Sequence, residues 1–460
     1  MKWSRYSHLF LSRRNGWLLY NSAANSFLKL EPGQEEVIKK ISGNPEGYDF
    51  SSCPQLYILL RSAGHLVKEG QDEDVYNILK MRRLTAQYAN NTLLLTVAVT
   101  RACNFDCSYC FEGNRTGSPM SEEVEAKLID FIKRRKKLGL FITWYGGEPL
   151  LAFDRILSMD GKLKAEGITY GAMIVTNGYL LTDAVIGKLN DLNIQTIQIT
   201  LDGNRETHDS RRCLKGGGKT YDRIAANLER LMASDFQGAV HIRVNVDGRN
   251  EEEFIAVYEA IREKYPEDFD KRISVYPGFV MGDSHPDASC FFDSDKKGRF
   301  LAAVAEKYGA APLPLFPSMP PGGCTLTKRN AYVVGPEGEL YKCWDDVGIE
   351  EMVVGRIDSL TGWNMPLIAK GMVAASHLDS AECRECFHFP ICDGGCHKVR
   401  MKALEDGNSH AGAKTSHHAP APALARPCAS DVCTYFKHHL DELLELHYEQ
   451  KTKAKNCLNP

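Results

Sequence analysis

The stretch "TLLLTVAVTRACNFDCSYCFEG", residues 92–113, runs an apolar segment straight into three closely spaced cysteines. The Leu/Val/Thr-rich start reads as an apolar, strand-like run. Cys103, Cys107 and Cys110 then follow at its carboxyl end with the spacing C-x3-C-x2-C. Ligands of parallel sheets and barrels gather at that end of the strands. Three thiolates are one short of a closed tetrahedral site. They suit an iron–sulfur cluster, for which cysteine sulfur is the usual ligand, and on a four-iron cluster they leave one iron free. The competing reading is a structural zinc knuckle with its fourth ligand elsewhere.

Working outward, apolar runs alternate with amphipathic helical ones from about residue 92 to 310. The runs after the first are "LFITWY", "GAMIVT", "IQTIQIT", "AVHIRVNV" and "RISVYPGFV". Between them lie patterns such as "SEEVEAKLIDFIKRRKK", with Ser121 as N-cap and acids in the first turn. Six such βα units imply a parallel sheet, barrel-like or doubly wound. The second run ends in "WYGGEPLL", with Gly146, Gly147, Glu148 and Pro149. Adjacent glycines let the backbone approach a ligand closely, and a fixed acid beside them accepts hydrogen bonds from an amine.

With its CxxxCxxC loop and GGEP motif in this order on successive strands, the chain resembles the radical S-adenosylmethionine (SAM) superfamily. The resemblance implies a partial (β/α)6 TIM-like barrel. It implies that Cys103, Cys107 and Cys110 hold a [4Fe–4S] cluster whose fourth iron is chelated by SAM. Gly146, Gly147 and Glu148 would line the methionine amine, and Tyr109 would pack near the adenine. "VTNGYLLT" brings Asn177 to the end of the third strand, and "ITLDGNRETHDSRR" brings Thr200, Asp202 and Arg212 to the fourth. In relatives this last segment lines the ribose and the SAM carboxylate. Arg212, with Arg211 as a substitute, offers a forked, permanently charged contact. Arg243 and Asn245 alternate with valines toward the barrel interior. "CLKGGGKT" ends like a P-loop, but Cys213 stands where the first glycine belongs and no strand precedes it, so nucleotide triphosphate binding is not expected.

A second array begins at Cys324, followed by Gly338 and Cys343, and continues in "CRECFHFPICDGGC" with Cys383, Cys386, Cys392 and Cys396. The C-x2-C-x5-C-x3-C ladder is not a zinc ribbon, which uses pairs of CxxC. It is similar to the SPASM extension of radical SAM enzymes, which builds two auxiliary [4Fe–4S] clusters. Carried over, Cys324, Cys343 and Cys396 serve the first cluster, and Cys383, Cys386 and Cys392 the second. The late ligand is Cys433 or Cys428, with the aromatic helix start that follows favouring Cys433. With no cysteine between Cys324 and Cys343, the first auxiliary cluster is a candidate for an open iron that takes a substrate thiolate. Cys53, Cys213, Cys290 and Cys457 stand alone and read as plain thiols.

Fifteen cysteines in a 460-residue chain exceed any need for disulfide staples, and their clustering reads as ligation in a reducing, cytoplasmic compartment. A net charge of −3 gives no bulk attraction to nucleic acid or an anionic membrane, and no apolar run is long enough to span a bilayer. Residues 1–88, with the strand-like "SHLFL", "GWLLY" and "SFLKL" followed by helical stretches, read as a winged-helix-like domain. Residues 92–310 form the barrel and 315–445 the cysteine-rich region, with a polar insertion at about 406–427 and a tail from 446. The N-terminal region resembles the leader-binding domain of maturases that act on ribosomally made peptides, which add the leader as a strand to a sheet edge. The function implied is a peptide maturase. A 5′-deoxyadenosyl radical, made with an electron from a donor such as flavodoxin or ferredoxin, would drive formation of a Cys-to-carbon thioether. The alternative is an anaerobic sulfatase maturase, which oxidises Cys or Ser to formylglycine. Those relatives place an acid directly after the second cysteine of the first SPASM pair; here that position is Trp344, with Asp345 next as the candidate base. A non-catalytic iron–sulfur carrier is disfavoured by the intact GGEP motif.

Overall fold

In a computed structural model, residues 1–110, 112, 116–136, 138–280, 292–308, 324–359, 361–410, 433 and 437–458 are described. Cys290, Cys428 and most of the polar insertion lie outside them. Two compact units share the chain: Met1–Gln87 with Asp293–Gly323 and Val373–Pro460, and Tyr88–Phe292 with Cys324–Met372.

The first unit opens with β1 (Lys2–Trp3), β2 (Ser7–Ser12), β3 (Gly16–Asn21) and β4 (Ser26–Lys29). After α1 (Gln34–Gly43) and α2 (Pro54–Ser62) come β5 (Leu66–Val67) and α3 (Gln71–Tyr88). Strands β2, β3 and β4 form an antiparallel sheet in that order, and β1 pairs with β5. Successive residues of a strand point to opposite faces, so neighbours on β3 serve different cores. Leu19 packs with Leu30, Ile38, Ile41, Leu60 and Leu66. Leu18 packs with Phe10, Tyr20 and, from the far end of the chain, Leu444.

The second unit carries the βα alternation. Its strands are β6 (Thr92–Ala98), β7 (Gly139–Tyr145), β8 (Gly171–Thr176), β9 (Ile194–Thr200), β10 (Ala239–Val246) and β11 (Ile273–Phe279). The helices between them are α4 (Glu122–Arg135), α5 (Phe153–Ala165), α6 (Asp183–Ile186), α7 (Arg205–Arg211), α8 (Tyr221–Ala233) and α9 (Glu251–Lys264). Ser121 caps α4, its side chain accepting from the Val124 N–H. All six strands are parallel and lie in unbroken chain order. A doubly wound sheet would reverse its order at a switch point. The architecture is therefore a partial barrel. On β10, Val240, Ile242, Val244 and Val246 are buried, while His241, Arg243 and Asn245 share the opposite, half-buried face.

The cysteine-rich region does not stand as a body of its own. Helix α10 (Ser294–Tyr308) belongs to the first unit. Next, β12 (Ala331–Val334) pairs in parallel with β6, and β13 (Glu339–Tyr341) and β14 (Gly355–Arg356) continue the sheet antiparallel to nine strands. A bare β6 would expose a row of unpaired backbone groups, and β12 covers it. After α11 (Met365–Ala369), the remaining α12 (Ala381–Arg384), α13 (His397–His410) and α14 (Leu440–Leu458) return to the first unit. There Glu442, Glu445 and Glu449 of α14 grip Arg13 and Arg14 of the β2–β3 turn. The units thus cut the chain differently from the three-way division of the sequence. Cys324 and Cys343 belong with the barrel, and Cys383 to Cys396 belong with the N-terminal sheet.

Candidate functional site

The loop that follows β6 is laced into the strand ends beside it. Gly147 N–H donates to Thr100 O at 3.1 Å and Glu148 N–H to Ala102 O at 2.9 Å. A Cβ on Gly146 would lie 2.1 Å from Thr100 O, and one on Gly147 2.5 Å from both Arg101 O and Ala102 O. Both glycines are therefore required by the backbone of the cysteine loop itself. Gly146 also holds φ +126°, a conformation side chains rarely adopt.

Glu148 is fully buried. Its carboxylate accepts from Leu150 N–H (3.0 Å), Thr176 Oγ1–H (2.7 Å) and Asn177 N–H (2.7 Å). Burial pushes its pKa up, and those donors together with the charge of Arg212 oppose the shift. Asn177 continues the circuit, its Nδ2–H donating to Asn104 Oδ1 at 2.8 Å, inside the CNFDC stretch. Asn104 Nδ2 is buried and meets no hydrogen-bond partner among the described residues.

A second wall comes from the segment after α7. Residues 211–215 run antiparallel to the cysteine loop: Ser108 N–H donates to Arg211 O, Asp106 N–H to Cys213 O and Lys215 N–H to Asn104 O. Phe105 and Leu214 form the bridge between them. The glycine-rich "CLKGGGKT", passed over in the sequence as a failed P-loop, is thus the brace of the cysteine loop.

Behind the loop lies a buried polar hub. The Tyr109 hydroxyl donates to Asp202 and accepts from Arg212 Nη1 (2.6 Å) and Asn245 Nδ2 (3.0 Å). Asp202 also takes Asn245 N–H (3.1 Å) and Arg211 Nε (3.5 Å). Arg211 is further engaged by Asp247 at 3.0 Å, so its charge is already neutralised. Arg212, its Nε buried with no acceptor among the described residues, is the arginine left with capacity for an anion. The sequence offered Arg211 as a substitute; these ion pairs separate the two. Thr200 sits opposite Arg243 in the sheet register, and Arg243 Nε donates to Asn245 Oδ1 at 2.8 Å. A Cβ at Gly278 would lie 2.3 Å from Arg243 Nε, so that glycine makes room for the guanidinium.

Cys103, Cys107 and Cys110 stand outside any disulfide. Phe105 N–H points at Cys103 Sγ at 3.4 Å, and burial pushes that thiol up to about 12. A thiolate there calls for a cationic partner, and a backbone N–H aimed at sulfur is what cluster thiolates receive. The residues present fit a [4Fe–4S] cluster with SAM beside it. Residues 97–261 match the radical SAM superfamily. The chain carries a radical SAM domain.

Beyond that domain, the chain is 25% identical over 363 residues to a serine-type anaerobic sulfatase-maturating enzyme of Bacteroides thetaiotaomicron, covering 70% of this chain and 86% of that protein. It is 26% identical over 325 residues to mycofactocin maturase MftC of Mycolicibacterium smegmatis, covering 66% and 78%. Among solved structures, native anSMEcpe with bound AdoMet and Cp18Cys peptide shares the fold at a TM-score of 0.59 and 17% identity. It covers 80% of this chain and all of that one. The cofactors of a radical SAM enzyme, a [4Fe–4S] cluster and SAM, follow with the family.

The C-terminal cysteines separate by unit. In the barrel unit, Cys324 is exposed, and Cys343 precedes Trp344, which is 48% exposed. The Trp344 ring stacks on Tyr145 at 6.0 Å, and Tyr145 is the last residue of β7. Asp345 and Asp346 follow in a short 3-10 turn. In the first unit, His388 N–H points at Cys386 Sγ (3.4 Å) and Gly394 N–H at Cys392 Sγ (3.3 Å). Burial pushes the Cys392 thiol up to about 11. Cys396 is an exposed free thiol. Cys433 is disulfide-bonded, and Cys428 lies outside the described residues. Sequence reasoning missed Asn104, Thr176, Asp247 and the brace at 211–215. Only the asparagine inside CxxxC offered a signal, and it was a weak one.

Proposed function

We propose that the protein is a radical SAM maturase that oxidatively modifies a peptide or protein, forming a Cys-to-carbon thioether in a ribosomally made precursor. The observation that carries it is the lacing of the three-cysteine loop to Gly147, Glu148 and Asn177 at the ends of β6, β7 and β8. It fixes the backbone on either side of Cys103 at the carboxyl ends of the strands. In this reading Cys103, Cys107 and Cys110 hold the cluster and Arg212 meets the SAM carboxylate. Tyr109, Asp202 and Asn245 fix Arg212; Thr200, Asn177 and Arg243 line the cavity. Bound there, the cluster and SAM would supply reductive SAM cleavage and abstraction of an unactivated hydrogen atom. The thiols of Cys383, Cys386 and Cys392 would hold an auxiliary [4Fe–4S] cluster, which would supply a one-electron acceptor beside the substrate. The N–H groups aimed at Cys386 and Cys392 fit that role.

Support for a peptide substrate comes from the maturases matched over about two thirds of the chain and from the three-stranded N-terminal sheet, in which, among the described residues, β4 pairs with a strand on one side only. A leader peptide adds to that edge by backbone hydrogen bonds. A flavodoxin or ferredoxin delivers the electron. A second reading, formylglycine formation, is favoured by the sulfatase-maturase match, with Asp345 as base; against it, Trp344 stands where an acid is expected.

The test is anaerobic incubation of reconstituted protein with SAM, reductant and a short Cys-rich peptide encoded beside it. Loss of two hydrogens with a cysteine blocked to alkylation supports the thioether. Formylglycine moves the assignment to the second reading, and an unmodified peptide with SAM intact overturns both.

A further inference from the structure

Helix α3, the last element of the N-terminal region, sends one cation into the cysteine ladder of its own unit. Arg83 is 6% exposed. Its Nη2 donates to Phe389 O (2.7 Å) and Cys392 O (2.8 Å), and its Nη1 lies 3.3 Å from His377 Nε2. The guanidinium also sits 4.5 Å above the Phe389 ring. Arginine only donates, so His377 Nε2 must accept, and the neutral ring carries its proton on Nδ1. That Nδ1–H is buried and meets no hydrogen-bond partner among the described residues.

Where it points is fixed by the "DGGC" turn. A Cβ at Gly394 would lie 2.1 Å from His377 Nδ1, and the Gly394 N–H is the group aimed at Cys392 Sγ. The turn is wrapped against the imidazole edge, with Gly394 at φ +87°. An orphaned buried donor costs about 1–3 kcal/mol unless something accepts from it. The acceptors that the chemistry of this ladder adds are the sulfurs of a cluster.

We propose that His377 donates its Nδ1–H to the sulfur of the auxiliary cluster on the Cys392 side, and that Arg83 is the positioning residue that fixes this tautomer. The inference rests on the reading of Cys383, Cys386 and Cys392 as cluster ligands. Hydrogen bonds to cluster sulfurs stabilise the reduced form and so raise the reduction potential. An arginine of the N-terminal region thereby sets the redox behaviour of a cluster encoded some three hundred residues later.

The experiment uses the full chain carrying Cys103→Ala, Cys107→Ala and Cys110→Ala, so that paramagnetic signals arise from the C-terminal cysteines alone. The signal that Cys383→Ala removes is the one followed; if Cys383→Ala removes neither iron nor signal, the cluster reading itself has failed. His377→Phe keeps the ring and deletes the donor. The expected result is a tenfold or greater fall in the reduced-to-oxidised ratio at a fixed potential, a drop of about 59 mV for one electron. An exchangeable-proton coupling to the reduced cluster, seen by its loss in D2O, should vanish with it. Arg83→Met, with His377 intact, should move the ratio the same way. An unchanged ratio and coupling in His377→Phe overturns the proposal. If His377→Phe binds no cluster, His377→Gln decides: retention of iron supports an N–H donor, and loss in both assigns the residue to packing.

Discussion

Replacing Gly146 by alanine separates two explanations of the GGEP motif. If the glycines exist so that SAM can approach, the cluster-free protein should tolerate a methyl group. The structure says otherwise, because the new Cβ would meet Thr100 O at 2.1 Å, whereas real contacts stay above 3.0 Å. The cysteine loop must therefore retreat by roughly 1 Å, a displacement that costs on the order of 100-fold in rate when it reaches reacting groups. In energy, overpacking costs about 1–3 kcal/mol and a side chain at φ +126° a similar amount. The sum is about 2–6 kcal/mol, with the bonds from Gly147 and Glu148 to Thr100 and Ala102 strained besides. Guanidinium denaturation of the cluster-free protein reads the first effect. Gly16→Ala serves as a control, since Gly16 also has positive φ but no neighbour within 4 Å. Formation of 5′-deoxyadenosine by the reconstituted enzyme reads the second. Should Gly146→Ala lose SAM cleavage while the cluster-free protein unfolds no more easily than the control, the packing argument is refuted and ligand approach takes its place.

Other outcomes follow from the same contacts. Arg211→Met leaves the buried carboxylates of Asp202 and Asp247 uncompensated and should destabilise by about 3–5 kcal/mol in chemical denaturation. Arg212→Met should act more on SAM affinity, measured by equilibrium binding, than on stability. Cys107→Ala should abolish 5′-deoxyadenosine, whereas Cys392→Ala should spare some SAM cleavage and lose the peptide product in mass spectra. His65 is fully buried against Trp3 with Ser7 at 2.8 Å, and burial lowers its pKa to about 3. Between pH 3 and 6.5 the unfolded chain binds the extra proton, so this contribution is complete above 6.5 and falls away as pH drops. From pH 7 to 5 the loss is about 2 kcal/mol, and His65→Gln should flatten the denaturation midpoint over that range by as much.

The barrel was legible because its strands are short apolar runs that alternate with amphipathic helical patterns, the first of them capped by Ser121. Both signals are local. The loop "CNFDCSYC" was legible for a different reason, since thiol spacing constrains chemistry before it constrains shape. What escaped was everything set by pairing at a distance. Strand β12 is only four residues, Ala331–Val334, and becomes a strand because β6 offers it an edge. The brace at 211–215 has no periodicity at all; its backbone is ordered by the carbonyl and N–H groups of the cysteine loop. Likewise Leu444 lies in a helix whose pattern says only that one face is apolar. That this face closes a core with Phe10 and Leu18 depends on a contact across the length of the chain. Arg211 and Arg212, adjacent and chemically identical in sequence, were divided by where Asp202, Asp247 and Tyr109 stand.

The glutamate of the motif can be argued one step further. Three donors converge on Glu148, two of them backbone N–H groups that have no other orientation available. An ionised carboxylate accepts at both oxygens, whereas an amide accepts at one. With the amide oxygen toward Leu150 and Thr176, the –NH2 faces the Asn177 N–H; turned about, it faces the Leu150 N–H. Either way one buried backbone donor is left unpaired, at about 1–3 kcal/mol. Burial raises the pKa of the acid, yet only the acid satisfies both strand ends. The same residue hands its own N–H to Ala102 O, and Asn177, held by its carboxylate, hands a side-chain N–H to Asn104. Cys103 lies between Ala102 and Asn104. A ring of hydrogen bonds thus closes around the first cysteine of the cluster loop, and the Glu148 carboxyl group, accepting at both oxygens, is what allows the ring to close.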